Sequence, residues 1–240
     1  MKKFVLVVLM FLPLMSFAQR KGLFDKEFHL PQHDDKFIHF GINFGYNQSH
    51  YNFLHNKIFL NQDSIMVVQS LNSTGFNLAW LVNFRLGEHF SIRTYPLDLI
   101  FTEKAFEYHL KYPDVPGGEA PITRKKIQGI SMALPVQVKF MSDRIDNMRV
   151  FIMGGVRTEF DFAANKGKTN AERMFKMEQI DYGVEGGIGF HIYFPVFVLT
   201  PELKLYYGLK NVHSRDATYK FSSVLDQVNA RGLTFSLTIE

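Results

Sequence analysis

The chain has 240 residues, a formal net charge of +4, no Cys and 15% aromatics, 25 of them Phe. Without Cys there is no disulfide framework and no lipoprotein anchor. No Lys/Arg cluster is interleaved with aromatics, so nucleic acid is not an expected partner, and no apolar run reaches the ~18 residues that a spanning helix needs.

Lys2 and Lys3 precede an almost wholly apolar run from Phe4 to Leu14, followed by Ser16, Phe17 and Ala18. A basic start, a short apolar core and a small-x-Ala end predict a secretory signal peptide over residues 1–18, cut after Ala18. Residues 19–35 have no periodicity and are expected to form an exposed periplasmic arm. His29 and His33 have a metal-like spacing, but that spacing needs a helix and Pro31 sits between them. Residues 36–240 are expected to form one domain.

The first strand is expected over Phe37–Tyr46, where Ile38, Phe40, Ile42, Phe44 and Tyr46 alternate with His39, Gly41, Asn43 and Gly45. That is a period-2 pattern with one apolar face. A long polar connection over Asn47–Ser73 is expected to extend the neighbouring strands as a short hairpin. The second strand, Gly75–Leu86, sets Phe76, Leu78, Trp80, Val82 and Phe84 against Asn77, Ala79, Asn83 and Arg85. After a tight turn at Gly87–His89 the third strand begins at Phe90, with Arg93 opposite in facing to Phe90 and Ile92. Its parity changes at Pro96, which predicts a bulge around Tyr95 and Pro96. From Thr102 to Lys126 alternation is absent, and Pro113, Pro116, Gly117, Gly118 and Pro121 mark an irregular loop.

Ile127–Phe140 is the fourth strand, with Gln137 and Lys139 on its polar face, and Arg149–Phe162 is the fifth, with Arg157 and Glu159 on its own. Strands six and seven form the clearest hairpin. Tyr182, Val184, Ile188, Phe190, Ile192 and Phe194 alternate with Gly183, Glu185, Gly187, Gly189 and His191. Beyond a turn at Pro195 and Val196, Phe197, Leu199, Leu203, Leu205 and Tyr207 alternate with Thr200, Glu202, Lys204 and Tyr206. This register sets Gly189 against Glu202 and Gly187 against Lys204. Lys210–Asn229 is a loop, and Ala230–Ile239 is the eighth strand.

These strands outrun the usual ~5–6 residues, and the face that carries the charges is rich in Gly. A barrel with lipid outside and a tight polar interior explains both. Long connections follow the odd strands and short ones the even strands. The predicted fold is therefore all-β: an eight-stranded antiparallel up-and-down transmembrane β-barrel with four long outer loops and three short periplasmic turns, in a bacterial outer membrane.

Eight strands leave a lumen just wide enough for side chains to fill. The expected structural ion-pair core comprises Arg85, Arg93, Lys139, Arg157, Glu159, Glu185, His191, Glu202 and Lys204, with Glu202 as a central acceptor. The alternative, a selective pore, needs an unfilled lumen. His50, Asp63, Ser64 and His109 fall in predicted outer loops with no spacing that connects them, so no catalytic residues are assigned. Neither a cofactor, nor a metal, nor a small-molecule substrate is expected.

Asp35–Asn47 resembles the first-strand signature of PorT proteins, small outer-membrane barrels of Bacteroidota tied to the type IX secretion system and gliding. Ser91–Leu97, Leu134–Phe140, Glu185–Pro195 and Pro201–Leu209 are further similar stretches, so the resemblance runs from Asp35 to the end of the chain. It implies a non-enzymatic part in protein export across the outer membrane, in association with larger secretion-system membrane proteins, and it carries over no catalytic residues. Two readings stand: such an accessory subunit, whose partners are outer-membrane lipid and other secretion components, or a stand-alone structural, adhesin-like or narrow-pore barrel.

Overall fold

The computed structural model describes residues 28–55, 65–113, 116, 120–164, 177–213 and 225–240. The signal peptide and its cleavage point at Ala18 lie outside them, as do Asp63 and Ser64.

The described residues form nine strands: β1 (Ile38–His55), β2 (Ile65–Leu71), β3 (Ser73–Arg85), β4 (Phe90–Leu110), β5 (Ile122–Met141), β6 (Met148–Asp161), β7 (Ile180–Tyr193), β8 (Val198–Gly208) and β9 (Leu225–Ile239). Each pairs antiparallel with its neighbours, and the pairing of β4 with β5 closes the sheet into a ring. β2 adds no ninth stave. It pairs with the outer part of β4, just beyond the stretch of β4 that β3 uses. From Leu71 to Gly75 the chain takes four steps while β4 takes three, from Ala105 to Thr102. β2 and β3 are thus one stave interrupted by an extra residue near Asn72, and the barrel has eight.

Within the ring the alternation follows the sequence. Phe40, Ile42, Phe44, Trp80, Val136, Val138, Ile152, Ile188, Leu205 and Phe235 all point outward and are exposed. A continuous apolar belt of that extent is what hydrocarbon requires of a barrel exterior. No helix among the described residues is long and apolar enough to cross a membrane.

The bulge expected at Tyr95 and Pro96 is present: four steps from Thr94 to Asp98 face three from Val136 to Ala133. It switches the inward set from Arg93 and Tyr95 to Asp98 and Ile100. In the hairpin of β7 and β8, Gly189 faces Glu202 and Gly187 faces Lys204. Phe194 N–H donates to the Phe197 carbonyl across the Pro195–Val196 turn, and the two rings stack 4.7 Å apart.

Three expectations are corrected. Thr102–Lys126 is no irregular loop throughout. β4 runs on to Leu110 and β5 begins at Ile122, with His109 paired to Ile122. The long connection over Asn47–Ser73 contributes the rest of β1 and all of β2, and β2 pairs with β4 rather than back onto β1. Likewise β9 begins at Leu225, inside the expected loop. All three share one cause: beyond the lipid the polarity of the staves inverts. Inward-pointing Tyr51, Val68, Phe106, Tyr108, Leu110 and Val228 form a buried apolar cluster with Met177 and Val212. The outward residues there, His50, Asn52, Glu103 and Gln227, meet water or are partly covered. A pattern read with apolar as outside loses its phase where apolar becomes inside.

A fourth correction concerns the arm. Its described part, from Phe28 to Lys36, is a turn folded back onto the short-turn end of the barrel, which is the periplasmic end in this class.

Candidate functional site

The lumen is packed in layers, and the expected ion pairs fall into the middle ones. Arg93 and Glu202 lie at mid-height with their side chains fully buried. Arg93 grips the carboxylate with both terminal nitrogens, Nη1 to Oε1 at 2.5 Å and Nη2 to Oε2 at 3.0 Å, while its Nε donates to Gln137 Oε1 at 2.6 Å. The planar fork of a guanidinium matches a carboxylate in this way, and a bidentate pair is the strongest ionic contact a protein makes. Glu202 Oε2 also receives Ser236 Oγ at 3.4 Å and lies 3.5 Å from Lys204 Nζ. Gly189 opposite leaves room for that cluster. A Cβ there would sit 2.5 Å from Phe151 Cζ.

On the periplasmic side of this layer Lys139 Nζ donates to His191 Nε2 at 3.1 Å, and His191 Nδ1 lies 2.7 Å from Thr200 Oγ1. The Phe151 ring lies under Lys139 at 4.9 Å. On the outer side Arg157 pairs with Glu159 at 2.5 Å, lies 3.9 Å from Glu185, and stacks over Tyr206. Glu185 accepts from Gln137, which links this layer to Arg93. Further out, Lys104 pairs with Asp161 beneath the apolar cluster. Arg93, Arg157, Lys204 and Lys104 each have a carboxylate partner, which offsets the several kcal/mol that a lone buried charge would cost, while Lys139 is held by the His191 imidazole and the Phe151 ring.

Eight of the nine residues expected in the ion-pair core stand in these layers. Arg85 does not. It lies half-buried at the end of β3 and donates to the Gly87 carbonyl at 3.0 Å, because its position next to the turn puts it at the mouth. The lumen is also less uniformly polar than expected: Ala79, Leu81 and Tyr95 form one apolar cluster, and Met141, Phe151 and Met153 another. Sequence reasoning missed Asp98 and Lys104 as lumen charges, whereas Asp161 stands on the polar face of the fifth strand with Arg157 and Glu159 and is buried as that face requires. Asp98 and Lys104 follow from the bulge, since moving the apolar set to Leu97, Leu99 and Phe101 turns the even residues inward.

Residues of the arm and the second turn close the periplasmic mouth. Arg144, on the turn between β5 and β6, lies between the Phe28 and Tyr193 rings, 3.9 and 3.6 Å from their centres, and donates to the His29 carbonyl. Asp34 accepts from the Tyr193 hydroxyl at 2.9 Å and faces Arg144 and Arg149 at 3.7 and 3.8 Å. Burial alone would raise the Asp34 pKa. The His33 and Tyr193 contacts and the two arginines outweigh it and hold the carboxyl down at about 2.

At the outer end Glu107 accepts from Arg124 Nε at 2.6 Å and Gln69 Nε2 at 2.8 Å, and contacts His109 Nε2 at 2.9 Å. These partners hold its carboxyl down at about 2. His109 is thus engaged by Glu107 and His50 is exposed, with no contact joining the two among the described residues.

A closed eight-stave barrel with an apolar belt, a side-chain-filled lumen and long loops at one end defines a small outer-membrane β-barrel protein. The family model described as "Outer membrane protein beta-barrel domain" matches residues 17–214, and the chain belongs to that family. Solved structures similar to it include Neisserial surface protein A (9% identity, 85% of this chain and 99% of that one, TM-score 0.42). OprG from Pseudomonas aeruginosa is similar at 9% identity, covering 83% of this chain and 93% of that one, with a TM-score of 0.45. Ail, the attachment invasion locus protein of Yersinia pestis, solved with a heparin analogue, is similar at 14% identity, 83% and 96% coverage and a TM-score of 0.38. No curated protein matches the chain by sequence.

Proposed function

We propose that this barrel is a non-enzymatic accessory component of the type IX protein secretion machinery, anchored by its lipid-facing belt and acting through its exterior. The observation that carries the exterior reading is the Arg93–Glu202 pair. Two fully buried side chains span the lumen at mid-height, with Gln137, Met153 and Lys204 packed around them. A passage for substrate through this lumen would have to dismantle the network that holds the staves together. The surfaces left for work are the apolar belt, the outer extension and the docked arm. The secretion assignment rests on the five stretches similar to PorT proteins.

Affinity capture from detergent-solubilised outer membrane tests it. Co-purification of secretion subunits supports the proposal. A deletion strain that exports its cargo and glides like the parent overturns it. The stand-alone, adhesin-like reading draws support from the outer extension, a rigid platform that rises beyond the lipid on an apolar core of its own. Recovery of a lone barrel favours that reading, and steady conductance in a planar bilayer would favour a narrow pore.

A further inference from the structure

Where the arm meets the barrel, two imidazoles and a carboxylate converge from three separate parts of the chain. His33 lies on the arm, His39 near the start of β1, and Glu240 just past β9. One ligand atom from each falls within a common span of 4.8 Å. β1 and β9 are neighbours, with Ile42 opposite Ile239, and this brings Glu240 alongside Gly41. The glycine is needed there, because a Cβ at Gly41 would meet Glu240 Cγ at 2.9 Å. The cluster lines a cavity of ≈ 20 Å³ that also touches Asp34, Lys139 and Arg149. That is room for about one water or one ion.

We propose that His33, His39 and Glu240 bind a divalent first-row cation of the Zn²⁺ type, which pins the arm across the periplasmic mouth. Three observations support it. First, His33 Nε2 lies 3.4 Å from His39 Nδ1, the two rings packing edge-on with centres 4.4 Å apart. Metal–nitrogen bonds of ~2.0–2.1 Å in a tetrahedron place two ligands about 3.4 Å apart. Second, His39 Nε2 lies 2.8 Å from the Lys36 carbonyl. That contact holds the ring proton on Nε2 and leaves the Nδ1 lone pair aimed into the cluster, as an orienting carbonyl does for a zinc-bound histidine. Third, the Glu240 side chain is only 3% exposed, yet its Oε1 has no hydrogen-bond partner among the described residues. A buried carboxylate oxygen without a donor calls for a cation.

Glu240 Oε2 lies 4.0 Å from His39 Nδ1 and the three ligand atoms lie within 4.8 Å of one another, so closing the third ligand needs a carboxylate shift of about 0.6–1.4 Å. Two imidazoles, one carboxylate and a remaining position for water are a ligand set that suits zinc. The three cations that line the cavity are already engaged: Arg149 faces Asp34, Lys139 donates to His191 over Phe151, and Arg85 donates to the Gly87 carbonyl. The ion would join the arm to both β1 and the residue after β9, where the barrel's first and last staves meet.

The test is isothermal titration of the untagged, refolded barrel in detergent with ZnCl₂, with Co²⁺ absorption as a geometric readout. One saturable equivalent and a tetrahedral Co²⁺ spectrum are expected. His33→Ala and Glu240→Gln should each weaken binding at least tenfold, while His50→Ala, exposed at the opposite end of the barrel, should not. Heat-modifiability on unboiled gels shows that the His33→Ala barrel is still folded. Absence of one-to-one binding to the folded wild type, or equal binding by wild type and His33→Ala, overturns the site.

Discussion

Replacing Glu202 by Gln removes one charge from the centre of the lumen while keeping its shape. In the wild type the guanidinium of Arg93 is satisfied by both Glu202 oxygens, at 2.5 and 3.0 Å, and by Gln137. In Glu202→Gln one of those oxygens becomes an NH₂ that points at Arg93 Nη2 or Nη1, and Lys204 loses its 3.5 Å counter-charge. Breaking one side of a buried pair costs about 3–5 kcal/mol, because the partner stays buried and charged. For a domain of ~150–250 residues each kcal/mol lowers Tm by roughly 2–4 °C, so the expected drop is about 6–20 °C. The assay is the temperature at which the refolded barrel changes from fast to slow migration on unboiled gels. Arg93→Met/Glu202→Leu removes both charges, and it should lie closer to wild type than Glu202→Gln does, since a buried pair replaced by apolar groups is often neutral. A Glu202→Gln barrel that melts with the wild type, or a double variant that melts lower than the single one, refutes the ion-pair account of the lumen.

Gly155 tolerates no side chain: a Cβ would lie 2.1 Å from the Val136 carbonyl oxygen, so Gly155→Ala should lower the same transition temperature, whereas Gly87→Ala, with nothing within 4 Å, should not. Docking of the arm should fail in acid. The Asp34 pKa is lowered on folding from 3.8 to about 2, so its contribution is fully present above pH 4 and is lost as pH falls through about 2. The amides at His33 and Lys36, which bond back to Leu30 and His33, should lose protection over that window once exchange is corrected for its intrinsic pH dependence, and unchanged protection factors at pH 2 would count against the docked arm. Phe106→Ala opens a hole in the outer apolar cluster worth about 3–5 kcal/mol. Added protease should then cut the outer extension sooner, while the membrane-embedded staves keep their heat-modifiable migration.

How much of this was legible in the sequence depends on where a residue stands relative to the lipid. Inside the belt one rule holds, apolar out and polar or small in, and it located Arg93, Lys139, Arg157, Glu185, His191, Glu202 and Lys204 in the lumen and the Gly189–Glu202 register before any coordinates. The rule holds on both sides of the bulge at Pro96, which turns Asp98 inward. Past the belt Phe106, Tyr108 and Leu110 obey the opposite rule, and a reading that kept one polarity throughout took β-structure for loop. Arg85 shows a third limit: strand parity assigns a facing but not a depth, and at the end of a stave an inward-facing residue meets the mouth rather than the lumen.

The arm shows what local patterning cannot reach. Residues 28–36 have no periodicity, and their only metal-like signal, His29 and His33, pairs the wrong two histidines. His29 is spent on the mouth, where its Nδ1 lies 2.9 Å from the Tyr193 carbonyl and its N–H donates to Asn147. The imidazole that meets His33 belongs to β1, six residues on, and is brought there because the arm reverses direction at Lys36. That reversal is decided by contacts far apart in sequence: Arg144 between Phe28 and Tyr193, and Asp34 against Tyr193. Each of those residues looks like an ordinary turn or strand-end residue until the barrel closes. Closure creates the mouth, and the mouth gives the arm a place to fold.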